Sequence, residues 1–206
     1  MVIIRVIAGK AGGLQLKTLE GIATRPTSDK VKGSLFNILA PEISGSAVLD
    51  LFSGTGALGI EALSRGAKRA VFIDNNPKCA KVIKENLRHT GFAEMSSVMI
   101  SDGISAIRKL SLSGEKFDMI FIDPPYKSHI IIEVLKQLSK GDIIKPETII
   151  TLESDTKNDL PDSLGMLKAY KRRNHGRTSL IFYRMDKNAR DSNDSDNKDR
   201  EGNTNT

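Results

Sequence analysis

The stretch Phe117-Asp118-Met119-Ile120-Phe121-Ile122-Asp123-Pro124-Pro125-Tyr126 decides the fold. Met119 to Ile122 is an unbroken apolar run, the pattern of a central strand buried on both faces. It ends at two prolines, which remove two successive backbone donors and forbid further ladder pairing. The residue before a proline is driven to extended geometry, so Asp123 is expected at the carboxyl edge of a sheet. In open α/β folds that edge binds ligands. Asp-Pro-Pro-Tyr supplies an acceptor carboxylate, unused backbone carbonyls and a flat ring. That set suits a planar base with an exocyclic amino group, two N–H donors meeting two acceptors while the ring stacks. The plainer alternative is a strand end with Asp123 as a local cap.

Working outward, a βαβ pattern precedes this strand. Val48 to Phe52 reads as a buried strand, Ser53-Gly54-Thr55-Gly56 as a tight turn, and Leu58 to Arg65 as a helix closed by Gly66. Glycines let backbone approach a ligand, and a helix N-terminus offers free N–H groups. A second strand, Arg69 to Ile73, ends in Asp74-Asn75-Asn76-Pro77. An acid there, about 20 residues past the glycine turn, is placed to bind two ribose hydroxyls. Asp50 before the turn and Asp74 after it make the turn more than a stray glycine motif. It lacks both the dinucleotide spacing and the Lys-Ser/Thr of a phosphate loop, which argues against NAD and ATP. Pro77 to His89 is a helix, Ser97 to Ile100 a third strand, and Asp102 at its end is placed to cap a helix starting near Ile104.

Beyond the central strand the pattern predicts a helix around His129 to Ser139, a strand around Thr148 to Leu152, and closing strands near Met166 to Tyr170 and Thr178 to Tyr183. Lys171 to Arg177 between the last two reads as a basic hairpin tip. At the other end, residues 2–8 and 14–19 read as a hairpin across Gly9 to Gly13, followed by a helix entered through Arg25-Pro26-Thr27-Ser28-Asp29 and running to Ala40, before Pro41. Residues 186–206 are polar and nearly devoid of apolar side chains, the composition of a disordered tail.

The chain of 206 residues carries a net charge of +6. The tail holds six acidic and four basic residues, which leaves +8 on residues 1–185. A basic body favours a polyanionic partner. One cysteine, Cys79, excludes an internal disulfide and a cysteine-based zinc site, so no metal is expected and the cytoplasm fits. No apolar run approaches a membrane span in length. A monomer is expected.

These residues together resemble the bacterial 16S rRNA (guanine-N2)-methyltransferases, within the class I S-adenosylmethionine-dependent enzymes. The resemblance covers roughly residues 3–184. It is carried by Arg5-Val6-Ile7-Ala8-Gly9, by Arg25-Pro26-Thr27-Ser28-Asp29-Lys30-Val31 and Leu35-Phe36-Asn37-Ile38-Leu39, by Leu49 through Gly66, and by Asp123-Pro124-Pro125-Tyr126. The chain departs from the family at Lys32-Gly33, where relatives carry a basic residue followed by glutamate. The resemblance implies an α/β, mostly parallel, seven-stranded sheet with helices on both faces. It implies an N-terminal hairpin and helix extension over 1–40, facing RNA and cofactor, and a methyltransferase domain over 41–185.

The cofactor implied is S-adenosyl-L-methionine, held by Thr27, Asp50, Phe52, Ser53, Gly54, Thr55 and Gly56, by Asp74 and Asn75, and by Asp102, Gly103 and Asp123. Asp102 then becomes an acceptor for the adenine amino group. Asp123, Pro124, Pro125 and Tyr126 are the implied catalytic group. The first two accept both N–H bonds of a guanine amino group, and Tyr126 stacks on a base drawn from its own stack. RNA contact is expected from Arg5, Lys10, Lys17 and Arg25 and from Arg172, Arg173, His175 and Arg177. The partner implied is 16S rRNA, within a small ribosomal subunit or its assembly intermediate. An N6-adenine methyltransferase, a non-catalytic cofactor-binding assembly factor and an NAD enzyme are the alternatives, separable by the product nucleoside or by ligand binding.

Overall fold

A computed structural model describes residues 3–19, 28–124 and 128–186. Arg25, Thr27, Pro125, Tyr126 and the tail from 187 onward lie outside the described residues.

The elements run β1 (Ile4–Arg5), β2 (Gln15–Leu16), α1 (Asp29–Ile43), β3 (Ala47–Leu51), α2 (Ala57–Ser64), β4 (Arg69–Asp74), α3 (Pro77–Thr90), β5 (Ser96–Ile100), α4 (Gly103–Leu112), β6 (Phe117–Ile122), α5 (Ser128–Leu138), β7 (Ile144–Asp155), β8 (Ser163–Leu164), β9 (Leu167–His175) and β10 (Thr178–Met185). Eight strands form one sheet in the order β5-β4-β3-β6-β7-β10-β9-β8. β5 through β7 pair in parallel and the last three strands add antiparallel. Seven of them are the strands expected; the eighth is a two-residue addition whose shortness gives no alternation to read. This is the class I methyltransferase sheet.

Alternation sorts the core. Val48, Phe72, Met119, Phe121 and Ile149 face one side, where they meet Phe36 and Leu39 of α1, Leu58 and Ile60 of α2, and Ile83 of α3. Leu49, Ile73, Ile120, Ile150 and Leu152 face the other, against Ala106 and Ile107 of α4 and Val134 and Leu135 of α5. β6 is buried at Phe117 and from Met119 to Ile122, as an interior strand covered on both faces must be.

Three elements depart from the expected bounds. α1 passes through Pro41 and ends at Ile43. Near a helix C-terminus a proline forfeits one intrahelical bond, and Leu39 and Ile43, both buried, keep the last turn on the sheet. The first hairpin pairs over only two residues per strand, Ile4 with Leu16 and Arg5 with Gln15. β9 extends to His175, so the basic run is strand and the turn is only Gly176-Arg177. Charged side chains are no obstacle to pairing when they point away from the core.

The first hairpin is held to the body by polar groups. Glu61, wholly buried in α2, accepts from the Ile7 amide (2.6 Å), the Ala8 amide (3.1 Å) and Arg65 Nε (2.7 Å). Lys32 of α1 lies 3.6 Å from the same carboxylate and donates to the Arg5 carbonyl. Burial pushes the Lys32 ammonium below its ordinary value, and the Glu61 carboxylate opposes that shift. Gly9 packs so tightly on α2 that a Cβ there would lie 2.0 Å from the Ser64 carbonyl oxygen.

Candidate active site

β3 and β6 are neighbours in the sheet, but the chain leaves them toward opposite edges. The crevice at their carboxyl ends is the topological switch point where α/β sheets bind ligands. A cavity of about 510 Å³ opens there, a size suited to a small organic cofactor or a base. Its lining divides into two sides.

On the first side are the ends of β3, β4 and β5. Phe52 has φ 62°, a left-handed conformation that costs a non-glycine residue about 1–3 kcal/mol. The bend turns the chain into the glycine turn and lays the Phe52 ring over Gly103, where a Cβ would come within 3.1 Å of it. Gly54 and Gly56 also have positive φ, 55° and 81°. The Gly54 amide donates to Asp74 Oδ2 (2.8 Å) and the Asn76 amide to Asp74 Oδ1 (2.9 Å), which locks the carboxylate at the cavity rim. Each carboxylate oxygen has more than one acceptor direction, so Asp74 keeps capacity for hydroxyl donors.

Asp50, 1% exposed, accepts from the Gly59 amide at 2.9 Å. Burial pushes its carboxyl up to about 7, with Asp74 nearby pushing the same way and the Gly59 bond opposing. Ser53 spends its hydroxyl on structure, accepting from the Ile73 amide (2.9 Å) and lying 2.6 Å from the Asp50 carbonyl. Asp102 caps α4 through the Ser105 amide (2.9 Å), and that bond holds its carboxyl below the usual range. Thr55 and Asn75 line the cavity as well. Cys79 does too; burial and the neighbouring Asp74 push its thiol up to about 11, so it is no nucleophile at neutral pH.

On the second side stand Asp123 and Pro124 from the end of β6, with Ile130 and Ile131 from α5. Lys32, Glu153, Asp155 and Arg177 line the same side. The sequence assigned none of these a place there; Arg177 was expected to meet RNA instead. Asp155 is held by the Lys157 amide (3.0 Å) and by Arg177 (3.2 Å), and these donors, the amide first, keep its carboxyl low. Gly33, next to Lys32, has open space where a Cβ would stand.

Among the described residues, several of the proposed RNA contacts are already paired within the protein. Arg5 pairs with Asp29 (2.8 Å) and Lys17 with Glu85 (2.9 Å). Arg172 folds back on Asp162 and the Leu160 carbonyl, both at 2.8 Å, whereas His175 reaches Ser34 of α1 at 3.0 Å. Positions three apart on a strand point to opposite faces, so making β9 a strand splits the expected basic tip. Arg173 remains exposed. Asn86, fully buried, was also missed by the sequence reading: it bonds the Lys17 amide (2.8 Å) and the Thr55 carbonyl (2.9 Å) and so ties the first hairpin to the glycine turn.

Residues 4–184 match the model of the family described as Conserved hypothetical protein 95. The chain belongs to this family. Among its relatives, YlbH of Bacillus subtilis is 36% identical over 180 residues, covering 87% of this chain and 98% of that protein. Ribosomal RNA small subunit methyltransferase D of Haemophilus influenzae is 32% identical over 187 residues, covering 90% and 94%. The solved structure of yhhF from Escherichia coli superposes with a TM-score of 0.80 at 29% identity, covering 90% of this chain and 99% of that one. An RNA methyltransferase from Salinibacter ruber, solved with S-adenosyl-L-homocysteine, shares the fold at a TM-score of 0.61 and 16% identity, covering 79% and 94%.

Proposed function

We propose that this protein is an S-adenosylmethionine-dependent methyltransferase acting on the exocyclic N2 amino group of a guanine in 16S rRNA of the small ribosomal subunit. The observation that carries the reading is one cavity lined on one side by Gly54, Asp74 and Asp102 and on the other by Asp123 and Pro124. The residues of the first side fit the cofactor: backbone stripped of side chains at Gly54, a locked acceptor for two hydroxyls at Asp74, and a flat ring at Phe52. Asp50 and Thr27, the latter outside the described residues, are both assigned to the amino-acid end by resemblance. Bound there, S-adenosylmethionine supplies an electrophilic methyl on a sulfonium.

The protein's own groups deal with a poor nucleophile. The guanine N2 lone pair is delocalised into the ring. Asp123 and the Pro124 carbonyl accept its two N–H bonds and favour a pyramidal nitrogen with the lone pair free to attack. Holding the two reactants in line supplies most of the acceleration. The attacking nitrogen forms its bond to carbon as the carbon–sulfur bond breaks. The methylated nitrogen then sheds one proton, which passes to Asp123 or to water; no strong base is required, because that nitrogen is acidic once methylated. Tyr126 is assigned the stacking role. Lys10, Arg25 and Arg173 supply phosphate contacts, with Arg5, Lys17, Arg172, His175 and Arg177 contributing where RNA displaces their present partners.

The test is transfer of labelled methyl groups to unmodified small-subunit rRNA and to assembled subunits, followed by nucleoside analysis. N2-methylguanosine at one site is the expected product. N6-methyladenine would move the substrate, and bound cofactor without transfer would move the protein to the assembly-factor class.

A further inference from the structure

The geometry points to Glu153 as the residue that selects guanine, by accepting the hydrogen bond of the base's N1–H beside the amino group held at Asp123. The inference rests on the guanine reading above and extends it to base discrimination.

Among the described residues, six carboxylates line the cavity: Asp50, Asp74, Asp102, Asp123, Glu153 and Asp155. The first three belong to the cofactor side, and each accepts a backbone amide of its own neighbourhood. Asp155 is engaged by the Lys157 amide and Arg177. Asp123 and Glu153 come from the ends of neighbouring strands. Ile122 pairs with Leu152 across the parallel β6–β7 ladder, so the residues that follow this last pair are Asp123, one step past the end of β6, and Glu153, still within β7. Neighbouring strands lie about 4.8 Å apart. Along β6, Met119 and Phe121 face the α1 side, and along β7 Ile149 faces that side while Ile150 and Leu152 face away. Alternation then puts Asp123 and Glu153 on the same face, side by side.

Guanine is the base whose edge answers such a pair. It presents the N2 amino group and the N1–H in succession, three donors for the Asp123 carboxylate, the Pro124 carbonyl and the Glu153 carboxylate. Adenine presents an amino group next to a bare N1 acceptor, which a carboxylate repels. A site built to bond a substrate N–H rejects the analogue that lacks it far more strongly than a merely apolar pocket can. The repulsion between two adjacent carboxylates is also eased by a ligand that brings only donors to them.

The probe is 2-aminopurine placed at the target position of small-subunit rRNA, naked or assembled according to which form the wild-type protein accepts. This base keeps the reacting amino group but carries an acceptor at N1. The wild-type protein is expected to prefer guanine over 2-aminopurine by about 100-fold or more in kcat/KM. Glu153→Gln, whose amide can donate to a bare N1, is expected to bring that ratio below about 10 without changing cofactor affinity. Cofactor binding by E153Q shows that the variant is folded; if it is not, the wild-type ratio still decides. Equal use of both bases by the wild-type protein, or full discrimination retained in E153Q, overturns the role of Glu153 and leaves guanine N2 transfer standing. A wild-type product of N6-methyladenine instead removes the guanine reading itself, and this inference with it.

Discussion

The two sides of the cavity are built by different means. On the side proposed for the cofactor each acid is fixed by a backbone amide close to it in chain or one strand away: Asp50 by Gly59, Asp74 by Gly54 and Asn76, Asp102 by Ser105. On the side proposed for the base the lining arrives from α1, β6, β7 and the β9–β10 turn, segments up to 145 positions apart between Lys32 and Arg177. One side is prearranged by local turns. The other exists only once the sheet is complete and α1 is seated on it, so damage to long-range packing should reach the base side first.

The strongest way to break that contrast is Glu61→Ala. The substitution removes a carboxylate that holds two hairpin amides and Arg65, and it strands a buried Lys32. Removing one partner of a buried ion pair costs about 3–5 kcal/mol. A fall of that size in chemical denaturation is expected, with transfer to RNA lost before cofactor affinity as unfolding is approached. Equal loss of both would mean that the sides are not separable.

Asp50 tests the local side through pH. Its carboxyl titrates near 7 in the folded protein and near 3.8 when unfolded, because burial disfavours the charge. The folded state therefore binds the proton more tightly, and stability falls as pH rises from about 4 to about 7. The loss over that window is about 4 kcal/mol. Asp50→Asn carries no charge to titrate and should flatten this part of the pH–stability curve. An unchanged slope would show that Asp50 is ionised in the folded protein throughout.

Asp123→Ala addresses the base side alone. Loss of one placed acceptor is expected to lower kcat by about 100-fold while the cofactor dissociation constant stays within about threefold. Full activity with bound cofactor would end the proposed role.

What was legible in the sequence follows the same division. Gly54, Gly56, Asp74 and Asp102 carry their geometry in local spacing: a turn that needs positive φ, an acid at a strand end, a cap before a helix. The end of β6 was legible because two prolines leave a strand no choice. Glu153 was not, because β7 was expected to stop at Leu152 and nothing in its immediate neighbours marks the next residue as sitting beside Asp123. That adjacency is a fact of register. Lys171 to Arg177 misled for the opposite reason: consecutive charges read as a loop, whereas pairing with Thr178 to Phe182 makes most of them strand. Glu61 did leave a trace, an acid within the otherwise apolar run of α2, of the kind that marks a buried partner elsewhere in the chain.

The smallest effect sharpens the contrast most. Gly33 sits inside α1 beside Lys32, on the helix that carries part of the base-side wall, and a Cβ there meets open space. Gly33→Ala should stabilise the protein by about 1 kcal/mol, the difference in helix propensity between the two residues. No contact is lost, so any change in transfer rate must come from a stiffer α1. An unchanged kcat with raised stability would mean that the wall closes over the base as a rigid body. A lowered kcat with cofactor affinity intact would mean that the N-terminal part of α1 moves during turnover, a freedom that glycine at this position preserves and that the locally clamped cofactor side does without.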